Sequence, residues 1–152
     1  PFVRNLATAG TLEAMASGQS CLAFAYSGDA IQASVRAREA GRGVTVQYVA
    51  PREGAQLWFD LLAIPADAPN PENAHAFINF LLQPDVMAAI TAHVRYPNGV
   101  PASRELVPRE VRDDPAVFPS DAVKAGFFTI GPVPQAAERA RSRMWARVKA
   151  GR

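Results

Sequence analysis

Three short stretches place an aromatic side chain beside a carboxylate or at a turn: Tyr26 and Asp29 in "AYSGD", Trp58 and Asp60 in "LWFDLL", and Tyr96 in "RYPNGVP". Together such groups can capture an organic cation. An ammonium group leaving water needs carboxylate acceptors, and aromatic faces supply cation–π attraction and apolar area for the adjoining methylenes. Trp58 and Asp60 are two residues apart, so on a strand they point to the same face. The same residues admit a plainer reading, because strand aromatics commonly belong to a core and a carboxylate after a glycine commonly caps a helix.

Other chemistries find less support. His75 and His93 lie far apart in helical patterns, with no acid or cysteine at ligand spacing, so neither a metal site nor a cofactor is expected. No GxSxG turn or similar nucleophile pattern is present. Asp29 and Asp60 could act as an acid and base pair, but no substrate-orienting motif accompanies them, and a binding role rather than an enzyme is expected. The basic end, Arg139 to Arg152, reads as a solvated helix face; without a recognition motif, no nucleic-acid partner is expected. A lone cysteine, Cys21, excludes an internal disulfide, and its neighbours Leu22, Ala23 and Phe24 predict a buried thiol.

The elements that must position these residues alternate. "GTLEAMASGQS" predicts a short helix with Thr11 as N-cap, stopped by Gly18, and "SCLAFAY" a strand whose unbroken apolar character suits a parallel sheet covered on both faces. A helix from about 29 to 40 takes Asp29 near its positive N-terminus and stops at "GRG", with Ser27 and Gly28 forming the turn that presents Asp29. "VTVQYVAP" and residues 56–64 are further strands. Asn70 then caps a helix with Pro71 at its first position, placing Ala74, Phe77, Ile78 and Leu81 on one face. Pro84 starts another helix, fading at Arg95, Tyr96 and Pro97. Residues 97–120 carry five prolines and read as a wrap-around of short turns. The chain closes with a basic helix bearing Ala137, Ala140, Met144 and Val148 on one face, with Gly151 past its last turn. Strands alternating with helices point to the α/β class.

The 152 residues are enough for a sizeable core, and 49% apolar with 20% charged residues is the composition of an ordinary globular chain rather than a disordered one. No apolar run approaches the roughly 18 residues a membrane span needs. A net charge of +2 is too small to imply a polyanionic partner. The chain opens on Pro1, without Met or the basic-then-apolar run of a secretory signal, so its beginning is expected to be cut or absent.

Read in order, "SGQSCLAFAYSGDAIQAS", "YVAPREGAQLWFDLLAIPADAPNPENAHAFINFLLQPDVMAAI", "HVRYPNG" and "ARSRMWARVKAGR" resemble the C-terminal part of the periplasmic polyamine-binding proteins, the putrescine and spermidine receptors of ABC importers. The resemblance runs over essentially the whole chain. It implies part of a two-lobe type II periplasmic-binding-protein fold of α/β class, with residues 1 to about 45 in the second lobe, about 46–95 crossing to the first, and 96–152 returning. It also implies roles: Tyr26, where the family usually has a tryptophan, Trp58 and Tyr96 as ligand walls, and Asp29 and Asp60 as amine acceptors. Both acids together favour a diamine. The partners implied are putrescine or another polyamine and a membrane ABC permease, and the location is periplasmic. Family members are more than twice as long, and by that resemblance most of the first lobe is expected to lie outside this sequence. A homo-oligomer or domain swap is therefore expected, with a truncated remnant or interaction module that binds no ligand as the alternative reading.

Overall fold

The computed structural model describes residues 9–150. Gly151, expected to end the last helix, Arg152 of the basic tail, and the first eight residues of the expected second-lobe portion lie outside them.

Helix α1, Thr11–Ala16, is entered from Gly10, so Thr11 is its first residue rather than its cap. Helix α2, Ser27–Ala40, begins two residues earlier than the sequence suggests, with Tyr26 as its extended N-cap residue. Ser27 and Gly28 thus belong to the first helical turn, not to a turn before it. The buried positions of α2 are all small, Gly28, Ala30, Ala33 and Ala37, which lets α1 and α4 pack close against its backbone. Arg36 pairs with Glu13 across the α1–α2 contact.

Helix α3, Pro71–Leu81, has Asn70 as N-cap and proline in its first turn, as expected. Its apolar face is not buried: no α3 residue is, and Phe77 is 57% exposed. Helix α4, Pro84–Val94, ends at Arg95, whose φ of 61° turns the chain sharply toward Tyr96. A 3₁₀ turn, Pro101–Leu106, packs on α4 and leads into α5, Arg109–Arg112, and α6, Asp121–Lys124. The Ser120 hydroxyl caps α6 by accepting from the Val123 amide at 3.4 Å.

The core gathers here. Ala88 of α4 meets Val107, Val111 and Val117, flanked by Ile31 and Phe118, and the Arg104 guanidinium lies 5.0 Å above the Phe118 ring. The proline-rich stretch forms the short turns expected of it, and it also supplies three buried valines. Helix α7, Gln135–Lys149, forms as the basic helix the sequence predicts, but its Ala137, Ala140, Met144 and Val148 face is uncovered.

The strands expected over 20–26, 44–51 and 56–64 have no regular secondary structure beyond a bridge at Gln56 and form no ladder among the described residues, so the α/β expectation is not realised as a sheet. A strand becomes one only when a neighbour accepts and donates its backbone hydrogen bonds. The pairing present is one parallel bridge between Gln56 and Phe128, in which the Leu57 amide donates to the Phe128 carbonyl at 2.7 Å and the Phe128 amide to that of Ala55 at 3.0 Å. Gly54 permits this crossing, since a Cβ there would collide with the Gly126 carbonyl oxygen. Without flanking layers, the apolar side chains of these segments stand free, Leu22, Phe24 and Leu61 almost fully. Cys21 accordingly is exposed, not the buried thiol its neighbours suggest. Among the described residues no single helix is long and apolar enough to cross a membrane; α3 and α4 reach that length only as a pair bent by 74°.

Candidate functional site

Two helix ends and one irregular segment build the candidate site. Tyr26 occupies the N-cap of α2 and Asp29 its first turn, where unpaired backbone amides favour a carboxylate. Tyr96 arrives from the end of α4, swung into place by the left-handed Arg95. Its ring lies against Gly28 so closely that a Cβ there would stand 2.5 Å from the ring carbon Cζ and 2.6 Å from the Val94 carbonyl oxygen. Only glycine lets α2 start at this point beneath the ring.

Electrostatics report the same proximity. Burial raises the Tyr96 phenol above its ordinary value of 10.0, and the neighbouring Asp29 carboxylate pushes it further. The backbone amides of Asp29 and Gly28 pull the other way, and Tyr26 adds a small upward push. Tyr96 is therefore a neutral hydroxyl at physiological pH, able to donate or accept.

Trp58 joins from the segment that follows the Gln56 bridge. Its ring meets Tyr26 edge-on, with centroids 6.4 Å apart and planes inclined by 62°. Its indole Nε1–H donates to Asp60 Oδ1 at 3.1 Å, so the two side chains share a face as their spacing predicts. Of the five residues singled out from the sequence, Trp58 thus meets Tyr26 and bonds Asp60, while Asp29 lies in the first turn of the helix that Tyr26 opens and acts electrostatically on Tyr96, whose ring lies against Gly28. Tyr26 and Trp58 are more than half exposed, so the group forms an open wall rather than a closed cavity. Chemically it offers two carboxylates linked by aromatic surface. Among the described residues no set of three or more His, Cys, Asp or Glu could hold a metal. A shallow groove on α4, lined by Asp85, Val86, Ala89, Ile90, His93 and Val94, has one acid and no aromatic wall, and fits an organic cation less well.

Sequence reasoning missed the support behind Tyr96. Asn98 donates from Nδ2 to the Thr91 hydroxyl at 2.8 Å and to Ser103 Oγ at 2.9 Å, and its Oδ1 accepts from the Val100 amide at 2.7 Å. Thr91 and Ser103 are each 1% exposed, so this is a buried polar hub that ties α4 to the 3₁₀ turn two residues beyond Tyr96. The "PNG" triplet signals a turn, and the side-chain bond from Asn98 to an amide two residues on is how asparagine makes one. Nothing local in the sequence marks its other partners.

The family described as "Bacterial extracellular solute-binding protein" matches residues 2–119. The chain is 43% identical over 152 residues to the putrescine-binding periplasmic protein SpuD of Pseudomonas aeruginosa, covering 100% of this chain and 41% of that protein. It is 41% identical over 152 residues to the putrescine-binding periplasmic protein PotF of Escherichia coli, again covering 100% of this chain and 41% of that protein. A putrescine/agmatine-binding protein of P. aeruginosa is 36% identical over 151 residues, 99% of this chain and 41% of its own length. The chain therefore spans about two fifths of the length of these relatives. An open wall of aromatics and acids, on a chain matched by this family over most of its length, leads to one assignment: the chain belongs to the bacterial extracellular solute-binding protein family.

Proposed function

We propose that the chain contributes to capturing putrescine or a similar polyamine in the periplasm, for delivery to a membrane ABC permease, without catalytic turnover. The observation that carries this reading is Trp58, which meets Tyr26 edge-on and bonds Asp60 while Asp29 occupies the first turn of the helix that Tyr26 opens: two acids for two ammonium groups, with aromatic surface beside them for the methylenes. Relatives named for putrescine binding support the ligand class. In this reading the α/β two-lobe arrangement assigns residues 1–45 and 96–152 to one lobe and 46–95 to the other. The apolar segments over 20–26, 44–51 and 56–64 would then become sheet strands once flanking layers cover them. Lobe closure would bury the open wall and strengthen both ion pairs.

Isothermal titration of putrescine into the chain tests the reading, with spermidine and an uncharged diol as controls. The expected result is saturable putrescine binding, no diol binding, and a loss of about tenfold or more in Asp60→Asn, since an ammonium left without its acid loses a charge-assisted hydrogen bond. Equal affinity in Asp60→Asn would overturn the assignment of that residue.

The exposure of Leu57, Trp58, Phe59, Leu61 and Leu62 along one segment favours a second reading, self-association of the chain through this edge. Light scattering decides it: a dimer or larger species supports it and a monomeric mass across the accessible concentration range excludes it.

A further inference from the structure

We propose that Trp58 is a positioning residue for the Asp60 carboxylate as well as an aromatic wall; the inference rests on the reading of this cluster as an ammonium-binding site. Trp58 uses two parts of one side chain for two different neighbours. The ring edge packs against Tyr26, with centroids 6.4 Å apart, while the indole N–H donates to Asp60 Oδ1 at 3.1 Å.

Asp60 has little else to orient it. It is exposed on a segment without regular secondary structure, and no Arg or Lys pairs with it among the described residues. An aspartate with only solvent around it samples several rotamers, and each bound ammonium would have to select one of them. The indole N–H removes that freedom. It occupies one oxygen and leaves Oδ2 and the remaining lone pairs of Oδ1 to accept from a ligand.

Tyr26 extends the effect. Because Tyr26 sits at the N-cap of α2, beside Asp29, the edge-on contact anchors Trp58 to the helix that carries the other acid. The position of Asp60 is thereby tied to that of Asp29, through Trp58 and Tyr26 rather than by direct contact. The separation of the two acids becomes a property of the scaffold, and a diamine of matching length is selected over one whose second ammonium falls short.

A double-mutant cycle separates this role from stacking alone. Trp58→Phe keeps an aromatic wall and removes the N–H; Asp60→Ala removes the acceptor. Putrescine affinity is measured for the unmodified chain, each single variant and the double variant. If Trp58 acts through Asp60, Trp58→Phe lowers affinity about fivefold in the parent and leaves it nearly unchanged in Asp60→Ala, where nothing remains to position. Alongside, the indole N–H proton resonance of Trp58 moves upfield in Asp60→Ala as its hydrogen bond is lost. An equal loss from Trp58→Phe in both backgrounds, with an unmoved indole resonance, overturns the positioning role and leaves the site reading intact. If the unmodified chain shows no saturable binding, the site reading fails, and the indole resonance still decides whether Trp58 holds Asp60.

Discussion

The Tyr96 ring lies across Gly28, near enough that a Cβ on Gly28 would stand 2.5 Å from the ring carbon Cζ. This contact joins the start of α2 to the turn that ends α4, and it brings together two parts of the candidate site separated by nearly seventy residues of sequence.

Gly28→Ala tests the contact through the sign of its effect. In a helix this substitution ordinarily stabilises, by about 1 kcal/mol. Here the new methyl meets both the Tyr96 ring and the Val94 carbonyl oxygen, and the expected outcome is destabilisation by about 1–3 kcal/mol, as for other overpacked sites. Urea unfolding of the variant measures it; a gain in stability contradicts the close approach.

Asn98→Ala should cost more than its partial exposure suggests. It removes the donor to the buried Thr91 hydroxyl and the acceptor of the Val100 amide, leaving buried polar groups to find other partners. A loss of about 1–3 kcal/mol is expected in chemical denaturation. A change within experimental error would mean that water replaces the side chain without penalty.

Tyr96 should ionise late. Its folded phenol is raised above 10.0 by burial and by Asp29, so the neutral form is favoured by the fold. The stability this contributes is fully present below the unfolded value and is lost as pH rises through the folded one, in the alkaline range above 10.0. Phenolate absorbance during an alkaline titration, compared between the chain and Tyr96→Phe, isolates its ionisation. Asp29→Asn should bring that ionisation to lower pH, while the burial contribution remains; no movement in Asp29→Asn means that the carboxylate does not face the phenol.

Arg95→Gly should stabilise the fold slightly. A φ of 61° costs an L-residue with a Cβ about 1–2 kcal/mol, and glycine adopts it freely at the price of greater freedom in the unfolded chain. A net gain of about 0.5–1 kcal/mol in thermal or urea unfolding is expected. A loss would show that the arginine side chain supplies contacts that outweigh the backbone strain.

Sequence by itself determined the longer helices, though not the short α5 and α6, and the chemistry of the candidate residues. Local rules place α3 and α4, because Asn70–Pro71 and Pro84 are start signals that do not depend on distant contacts. Trp58 and Asp60 share a face because side-chain alternation is also local. The start of α2 lies two residues before the expected one, because the Ser27–Gly28 pair has the composition of a turn and only the Tyr96 ring packed on Gly28 marks it as part of the helix.

Only the tertiary structure decided what depends on neighbours remote in sequence. Tyr96 meets the start of α2 because α4 ends at a left-handed Arg95 and Gly28 is small enough to receive the ring, while Trp58 reaches Tyr26 from a segment some thirty residues further on. Asn98 becomes a hub only where Thr91 and Ser103 meet it. The segments over 20–26, 44–51 and 56–64 have the composition of strands, yet a sheet is a relation between segments; where no neighbour supplies the matching hydrogen bonds, their apolar side chains, and Cys21 with them, remain exposed.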